Sequence, residues 1–436
     1  MIKSGPLLLL LPILCAAAQK SSPPPPLPGT LPTASASTAN VSTNGQALTL
    51  PEALALAEQH SPQLKAAQAD IAGARAGIVT AKAYPNPEAV YLGGRQYRRL
   101  PEGAPGLIQH FGVSQPIDLP RQRSARLDVA KLGQRSTEFG LEETRLEVQS
   151  AVKQNFYEVL RRKGEYRLAQ DNLKLVEELR RRIQVKVDVG ESGKLELIRA
   201  DAELATVRAA VKSSQLQLVT AISALRAVIG SPLSKQLNVV GNVDQPVKLP
   251  PLSNLRKLVF ANHPSLKRAE TEVQRAQAEL KNQRAQRVPR PSVQAEYEPQ
   301  PDIQYFRVGL SIPIPVWNQR QGPIAESQAA IDRATATDDI QRLQLTNNLE
   351  SAYGQYQVAD EQVVSFQSGA LKEAQAALNA AEAAYKSGER GIIEVLDAQR
   401  VLRSVRLDYL NAQFDRQAAL IELEQLRAID PKEVKQ

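Results

Sequence analysis

The sequence is poor in the residues that bind metals or carry out nucleophilic chemistry. It contains one cysteine and three histidines among 436 residues, and one cysteine can form neither an intramolecular disulfide nor a cysteine-type zinc site. His60, His110 and His263 lie far apart and lack the spacing of metal ligands. P-loop, Gly-x-Ser-x-Gly, His-Glu-x-x-His and dinucleotide-binding motifs are also missing. We therefore expect no catalytic residues, no metal site and no cofactor, and a protein that is not an enzyme.

Aromatic residues and charge of one sign are also scarce. Aromatics make up 4% of the chain, which argues against a large mixed core. Basic residues number 54 and acidic residues 46, and the resulting charge of +8 is spread thinly along the sequence. Nucleic-acid-binding domains concentrate positive charge on one face or arm, so no nucleic acid is expected as a partner. The apolar fraction of 42% is ordinary for a globular protein and excludes a wholly disordered chain.

The N-terminus is predicted to be a secretory signal peptide, residues 1–18. Lys3 precedes an apolar run and three alanines that provide a cleavage site. Cys15 offers the alternative of a lipid-attachment site. However, Leu14 stands where a small residue usually precedes such a cysteine, so we expect a chain without an acyl group.

Residues 19–47 are rich in proline, serine and threonine and are predicted to be a linker. No later segment has 18 consecutive apolar residues, the length needed for a spanning helix. The exported protein is therefore either soluble outside the cytoplasm or inserted in a membrane by β-strands.

The chain contains two copies of one domain. Four short segments recur in the same order about 200 residues apart, and chance does not produce four such matches in register. The matching segments are 60–67 with 263–269, 85–87 with 289–291, 114–123 with 311–320, and 190–196 with 388–394. A period of this length indicates a duplicated domain rather than a solenoid repeat. We predict a first copy at residues 48–240 and a second at 252–430.

Each copy is predicted to contain a helix, two strands and then very long helices. Residues 50–82 are rich in helix-forming residues, and Pro85 ends that helix. Residues 121–189 are helical in composition, with Gly164 as the expected break. Residues 195–229 carry apolar side chains at spacings of three and four, which is typical of a coiled-coil seam. We expect long antiparallel helical hairpins.

Two stretches of the second copy alternate between apolar and polar residues with the period of a β-strand. The apolar side of the second stretch consists of Phe306, Val308 and Leu310. The polar side of the two stretches consists of Gln294, Glu296, Arg307 and Ser311. Two interpretations fit this pattern. The strands either cross a membrane with the apolar side against lipid, or form a soluble hairpin pair packed on helices.

The distribution of aromatic residues favours the membrane. Eight of them fall in residues 84–118 and 291–317, where even scatter predicts about three. Aromatic residues at strand ends are typical of the interfacial girdle of a membrane barrel. Four strands cannot close a barrel, and open edges are not tolerated in lipid. Strands that cross a membrane here must therefore share a barrel with other chains.

Several motifs resemble those of TolC-type outer-membrane efflux factors, and most of all the cobalt–zinc–cadmium (CzcC-like) branch. The motifs are Asn86-Pro87, Gly112-Val-Ser-Gln-Pro-Ile-Asp-Leu119, Val308-Gly-Leu-Ser-Ile-Pro-Ile-Pro-Val-Trp-Asn-Gln-Arg-Gln-Gly322, and the two glycine motifs that begin at Gly190 and Gly388. The resemblance covers residues 48–430. One departure is Leu119-Pro120-Arg121, where many relatives have a step like Gly-Gly-Lys.

The resemblance implies a homotrimer in the bacterial outer membrane. Three chains would form a 12-stranded β-barrel that continues into the periplasm as an α-helical barrel. The implied partners are a periplasmic adaptor protein and a proton-driven inner-membrane pump of the resistance-nodulation-division class, besides outer-membrane lipid. The implied function is that of a passive exit duct for heavy-metal cations. The alternatives are a duct for drugs or other small organic molecules, and a periplasmic coiled-coil adaptor or scaffold.

In such a duct the functional parts are a lumen and a gate. The polar side of the strands (Gln294, Glu296, Arg307, Ser311) is predicted to line the lumen, and the apolar side (Phe306, Val308, Leu310) to face lipid. Halfway between the strands and the glycine motifs we expect the periplasmic tips of the hairpins, where Arg161, Asp360 and Glu361 are candidate gate residues. In a trimer the two acidic residues would give a ring of six carboxylates that selects cations or needs basic partners such as Arg161. The alternative is that they lie on an ordinary solvated helix turn. Equatorial breaks between helical segments are predicted at Gly190, Gly193, Gly388 and Gly391.

Overall fold

The computed structural model describes residues 47–95, 106–230, 238–243, 247–300 and 303–429. The predicted signal peptide, residues 19–46 of the predicted linker, and Tyr97 lie outside these residues. None of the described helices carries an apolar stretch long enough to cross a bilayer.

The first copy consists of two short helices, a β-hairpin and two long helices. Its elements are β1 (Ala47–Leu48), α1 (Leu50–His60), α2 (Pro62–Lys82), β2 (Glu88–Arg95), β3 (Leu107–Pro116), α3 (Pro120–Asp188) and α4 (Lys194–Ile229). The short strand β4 (Asn238–Val239) follows and pairs in parallel with β1.

The second copy repeats this order. Its elements are α5 (Leu252–Asn262), α6 (Pro264–Ala285), β5 (Ser292–Pro299), β6 (Gln304–Ser311), α7 (Gln321–Ser365), a π-helical turn (Phe366–Ala370), α8 (Leu371–Lys386) and α9 (Ile392–Gln425). The predicted succession of helices, two strands and long helices in each copy is confirmed.

The helix predicted over residues 50–82 is two helices. Ser61 adopts an extended backbone (φ −55°, ψ 122°) between α1 and α2. The cause is Pro62, because a proline ring disfavours helical conformation in the residue before it and suits the first position of a new helix. The second copy breaks at the corresponding place, between His263 and Pro264.

The long helix α3 runs for 69 residues without the break predicted at Gly164, which makes it about 100 Å long. A Cβ atom added at Gly164 would lie 3.1 Å from the Cδ atoms of Leu410. The glycine therefore lets α9 approach α3 closely, and does not interrupt the helix. In the second copy the corresponding helical stretch contains the π-helical turn between α7 and α8.

Each copy has its own apolar core, in which the first short helix packs on the long ones. The first core surrounds Phe156 of α3 and includes Ala53 and Leu225. The second surrounds Tyr356 of α7 and includes Leu255. Burial raises the pKa of Tyr356, and its hydroxyl donates to the carbonyl oxygen of Val247 at 2.6 Å. The two cores hold equivalent elements, as expected of a duplicated domain.

The four long strands form one antiparallel sheet in the order β2-β3-β5-β6. The central pairing, between β3 and β5, joins the two copies. Strands β2 and β6 lie at the edges of this sheet. Below the sheet, buried Gln122 links the copies by donating from Nε2 to the carbonyl oxygens of Ala285 and Val288, at 3.2 and 2.6 Å.

The long helices reverse at the two glycine motifs. Gly190 and Gly388 have positive φ angles of 81° and 76°, a conformation that favours glycine. In the first turn the N–H of Glu191 donates to the carbonyl oxygen of Lys186 at 2.8 Å, as in a Schellman motif. Beyond this turn α4 runs back along α3, and an ion pair of 2.8 Å between Arg180 and Asp201 crosses the hairpin.

Helix breaks are present at Gly190, Gly193, Gly388 and Gly391 as predicted, but the prediction that these breaks are equatorial is wrong. Gly190 and Gly388 are the turns of two helical hairpins, α3–α4 and α8–α9. Gly193 and Gly391 are the N-cap residues of the returning helices, with negative φ angles of −77° and −81°. The repeated spacing reflects a repeated hairpin end and not a hinge within a continuous tunnel wall.

A substitution of the turn glycine tests this assignment. Gly190→Ala places a Cβ atom in the left-handed region, and we expect it to destabilise the turn by about 1–2 kcal/mol. The measurement is hydrogen exchange of the amides of residues 186–192, which report local opening of the hairpin end.

Gly193→Ala is the matched control. It lies in the same turn but has ordinary backbone angles, and an added Cβ atom there meets nothing within 4 Å. Because alanine is a poorer N-cap residue than glycine, we expect a small increase in exchange that stays well below that of Gly190→Ala. Equal effects of the two substitutions would contradict the assignment.

Candidate functional site

The strand register defines two faces of the sheet. Direct pairing of Glu296 with Arg307 and of Ser292 with Ser311 places Gln294, Glu296, Arg307 and Ser311 on one face. The opposite face carries Phe306, Val308 and Leu310, which pair with Tyr297, Ala295 and Val293. The structure therefore places the predicted polar residues together on one face and the predicted apolar residues together on the other. Which face lines water and which meets lipid remains a prediction.

The polar face holds a small charged cluster. The guanidinium of Arg307 lies 2.7 Å from a carboxylate oxygen of Glu298 and 3.5 Å from one of Glu296. His110 of β3 lies 4.0 Å from Glu298. His110 and Glu298 were not among the predicted lumen residues, although their places in the alternating pattern put them on the polar side. Val90 and Leu92 of β2 lie on this same face, since they pair with Gly112 and His110.

The apolar face carries a row of aromatic rings that crosses all four strands. Tyr91 pairs with Phe111, Phe111 with Tyr297, and Tyr297 with Phe306. The ring centroids of Tyr91 and Phe111 are 5.0 Å apart, and those of Phe111 and Tyr297 are 6.4 Å apart. All four residues are exposed, Phe306 at 73%. An exposed apolar patch of this extent indicates a contact with lipid or protein, and an aromatic row is typical of a membrane interface.

The described residues contain no group of three or more His, Cys, Asp or Glu side chains that could hold a metal ion. Two carboxylates of the polar face, those of Glu296 and Glu298, are instead engaged with Arg307. These glutamates place negative charge on the polar face of the sheet.

Arg161 does not lie at a helix turn. It lies inside α3, about 40 Å from the turn at Gly190. Its guanidinium is paired with Glu158 and Glu165 of the same helix, at 3.9 and 3.3 Å. The prediction that Arg161 forms the periplasmic tip is wrong, because α3 continues through this position instead of reversing there.

Asp360 and Glu361 are likewise inside a helix, near the end of α7. The carboxylate of Asp360 accepts a hydrogen bond at 2.9 Å from Arg416 of α9, which is only 3% exposed. The interaction joins two helices of one chain beside the second core. The prediction of these two residues as a tip is therefore also wrong. Its error lay in placing the turns halfway along the helical stretches.

The actual hairpin ends present exposed apolar side chains. Leu195 follows Gly193 in the first turn, and Ile393 occupies the equivalent position after Gly391. Both are more than half exposed. Sequence reasoning had identified these segments as repeated motifs but assigned them no surface role. The signal that could have revealed it is an apolar residue kept at the same place beside both turns.

The chain matches known proteins over most of its length. A family described as outer membrane efflux protein matches residues 53–231 and 255–428. The cobalt-zinc-cadmium resistance protein CzcC of Cupriavidus metallidurans is 26% identical over 367 residues, which cover 83% of this chain and 86% of that protein. The probable outer membrane lipoprotein SilC of Salmonella typhimurium is 23% identical over 85% of this chain and 83% of its own length.

A solved structure shows the same fold. A crystal structure of CusC superposes with a TM-score of 0.73 at 20% sequence identity, covering 87% of this chain and 91% of that chain. The match covers most of both chains, so the two proteins share their overall fold.

The apolar face of β6 can be tested by adding charge. We expect Val308→Arg to prevent assembly in the outer membrane, since arginine facing lipid at mid-membrane costs about 2–4 kcal/mol per chain. Ser311→Arg and Gly309→Arg place the same side chain on the polar face and should be tolerated. Gly309 adjoins Val308 and so controls for depth. The measurement is the amount of protein in purified outer membranes, and equal amounts for the Val308 and Gly309 variants would remove the assignment of the faces.

Proposed function

The chain belongs to the outer membrane efflux protein family, and from this premise we propose that it is the exit duct of a tripartite efflux system with heavy-metal cations as its cargo. Proteins of this family are passive outer-membrane channels that extend into the periplasm, so the chain is a channel and not an enzyme. Family membership also excludes the alternative of a periplasmic adaptor or scaffold.

The proposed working form is a homotrimer. The described residues of one chain supply four strands to the large sheet, whereas the smallest bacterial barrels have eight. Three chains in head-to-tail contact give a closed ring, and a head-to-tail interface closes in this way when the rotation fits. The two long hairpins of each chain then continue the barrel as a helical tunnel.

The polar face of the sheet is the proposed lumen wall. Within the described strand residues this face carries three carboxylates, those of Glu88, Glu296 and Glu298, against the single guanidinium of Arg307. Threefold repetition produces a negatively charged ring. Rings of acidic side chains favour the passage of cations, which fits a cation cargo better than an anionic one.

The observation that carries the metal proposal is the match with CzcC, whose name records resistance to cobalt, zinc and cadmium and which aligns with 83% of this chain. The alternative cargo is drugs or other small organic molecules. A passive duct takes its cargo from the pump that feeds it, so a metal-binding site in the wall is not required.

The hairpin ends are the proposed contact with the periplasmic adaptor, which would join the duct to an inner-membrane pump of the resistance-nodulation-division class. The exposed side chains of Leu195 and Ile393 provide matching apolar points on the two hairpins. Burying them against a partner would remove apolar surface from water. With two hairpins per chain, a trimer presents six such ends.

The charge of the lumen wall predicts its ion selectivity. Glu296→Gln together with Glu298→Gln should lower the preference for cations over anions, measured as the reversal potential of single channels under a salt gradient. We expect the difference from the unchanged protein at about 0.1 M salt, where the screening length is about 10 Å, and its loss at about 1 M, where it is about 3 Å.

Asp171→Asn together with Glu178→Gln is the control for total charge. Both side chains lie on α3 beyond the sheet and are about half exposed. If this pair shifted the reversal potential as much as the strand pair, the charge of the sheet would not set selectivity.

The cargo is tested by metal tolerance. The chain is expressed in a host that keeps the adaptor and pump of a metal efflux system but lacks its own metal efflux channels. We expect this set to raise the tolerated concentrations of zinc, cobalt and cadmium, and the set containing Val308→Arg to give no protection. Protection against organic dyes and antibiotics without protection against the metals would show that the cargo is organic and contradict the metal proposal.

A further inference from the structure

The two copies of the domain correspond strand by strand. Pro85 corresponds to Pro289 and Ser114 to Ser311 in the repeated motifs. In the first hairpin Glu88 pairs with Ser114. The correspondences convert Glu88 into Ser292 and Ser114 into Ser311, so they predict that Ser292 lies opposite Ser311. That pair is observed in the second hairpin. The sequence repeat therefore predicts strand register correctly.

The contact between the copies has its own register. In the pairing of β3 with β5, Val113 lies opposite Ala295 and Ser114 opposite Gln294. The outer strands β2 and β6 are the edges of the sheet. In a ring of identical chains, β6 of one subunit meets β2 of the next, and this contact is the repeat equivalent of the one between β3 and β5.

The same correspondences predict the register of the contact between β6 of one subunit and β2 of the next. Val113 and Ser114 of β3 become Leu310 and Ser311 of β6, while Ala295 and Gln294 of β5 become Tyr91 and Val90 of β2. We propose that β6 pairs antiparallel with β2 of a second copy, with Leu310 opposite Tyr91 of the partner subunit and Ser311 opposite Val90 of the partner subunit. The proposal rests on the homotrimer of the proposed function and specifies how its subunits join.

The two faces of the sheet agree with this register. Leu310 and Tyr91 both lie on the apolar face, and Ser311 and Val90 both lie on the polar face. The apolar face thus continues from one subunit to the next. A slip of one residue would set Leu310 opposite a residue of the polar face and break that continuity, because neighbouring residues of a strand point to opposite sides.

The segments that follow β3 and β6 also correspond between the two copies. Within the chain, buried Gln122 donates to the carbonyl oxygen of Val288 at 2.6 Å and so joins the copies. Its counterpart Gln319 is exposed on the single chain, and the counterpart of Val288 is Tyr84. The proposed contact places Gln319 next to Tyr84 of the partner subunit, and it covers the neighbouring loop in which Trp317 is 91% exposed.

Cysteine pairs test the register, using the full-length protein in outer membranes. Val90→Cys together with Ser311→Cys should give disulfide-linked dimers and trimers on mild oxidation, visible on denaturing gels and lost on reduction. The two single variants show any linkage to Cys15. Ser114→Cys together with Gln294→Cys is the equivalent pair within one chain, and it should oxidise without forming linked chains.

Gly94→Cys together with Ser311→Cys is the register control, because residue 94 lies about 13 Å along β2 from residue 90. Linked chains from this pair instead of the Val90 pair would overturn the proposal. So would the absence of linked chains from the Val90 pair when the in-chain pair oxidises. Light scattering of the unchanged protein in detergent separates the causes. If the Val90 pair fails to link and the unchanged protein is a trimer, only the proposed register is wrong. If the unchanged protein is a monomer, the trimer of the proposed function is wrong as well.

Discussion

The unpaired backbone of the two edge strands constrains the whole molecule. Lipid offers no hydrogen bonds, so each N–H and C=O group of a strand within it needs a partner in the protein. In the single chain β3 and β5 are paired on both sides, whereas β2 and β6 are sheet edges. In the proposed trimer the chain satisfies this constraint by forming one third of a ring. The two copies of the domain are already joined by the pairing of β3 with β5, and this pairing provides the pattern for joining one subunit to the next.

The same constraint shapes the helical half. In the proposed trimer the strands leave the membrane on one side, and the long helices α3 and α7 continue around the same ring. The chain returns at Gly190 and Gly388, where positive φ angles close the hairpins. The far ends of the hairpins thus become the parts of the molecule that lie farthest from the sheet. They expose Leu195 and Ile393, the two side chains that we propose to contact the adaptor.

The sequence predicted the parts of the fold that local patterns determine. Alternation with period two identified the faces of β5 and β6, and the four repeated motifs identified the duplication. The hairpin ends were misplaced, because helical composition alone does not show where two helices reverse. Gly164 looked like a break but serves close packing against Leu410, whereas Gly190 ends a helix. Composition also could not pair Asp360 with Arg416, since their contact depends on how α7 and α9 cross. The charged cluster around Glu298 required the cross-strand register.

Hydrogen exchange of the four strands, measured by mass spectrometry on the protein in detergent or nanodiscs, tests the central claim most directly. If the sheet closes between subunits, amides of residues 88–95 and 304–311 should be protected as strongly as those of residues 107–116 and 292–299, because every strand then has two neighbours. Fast exchange along β2 and β6 together with slow exchange along β3 and β5 would show that the edges remain open, and would contradict a shared barrel.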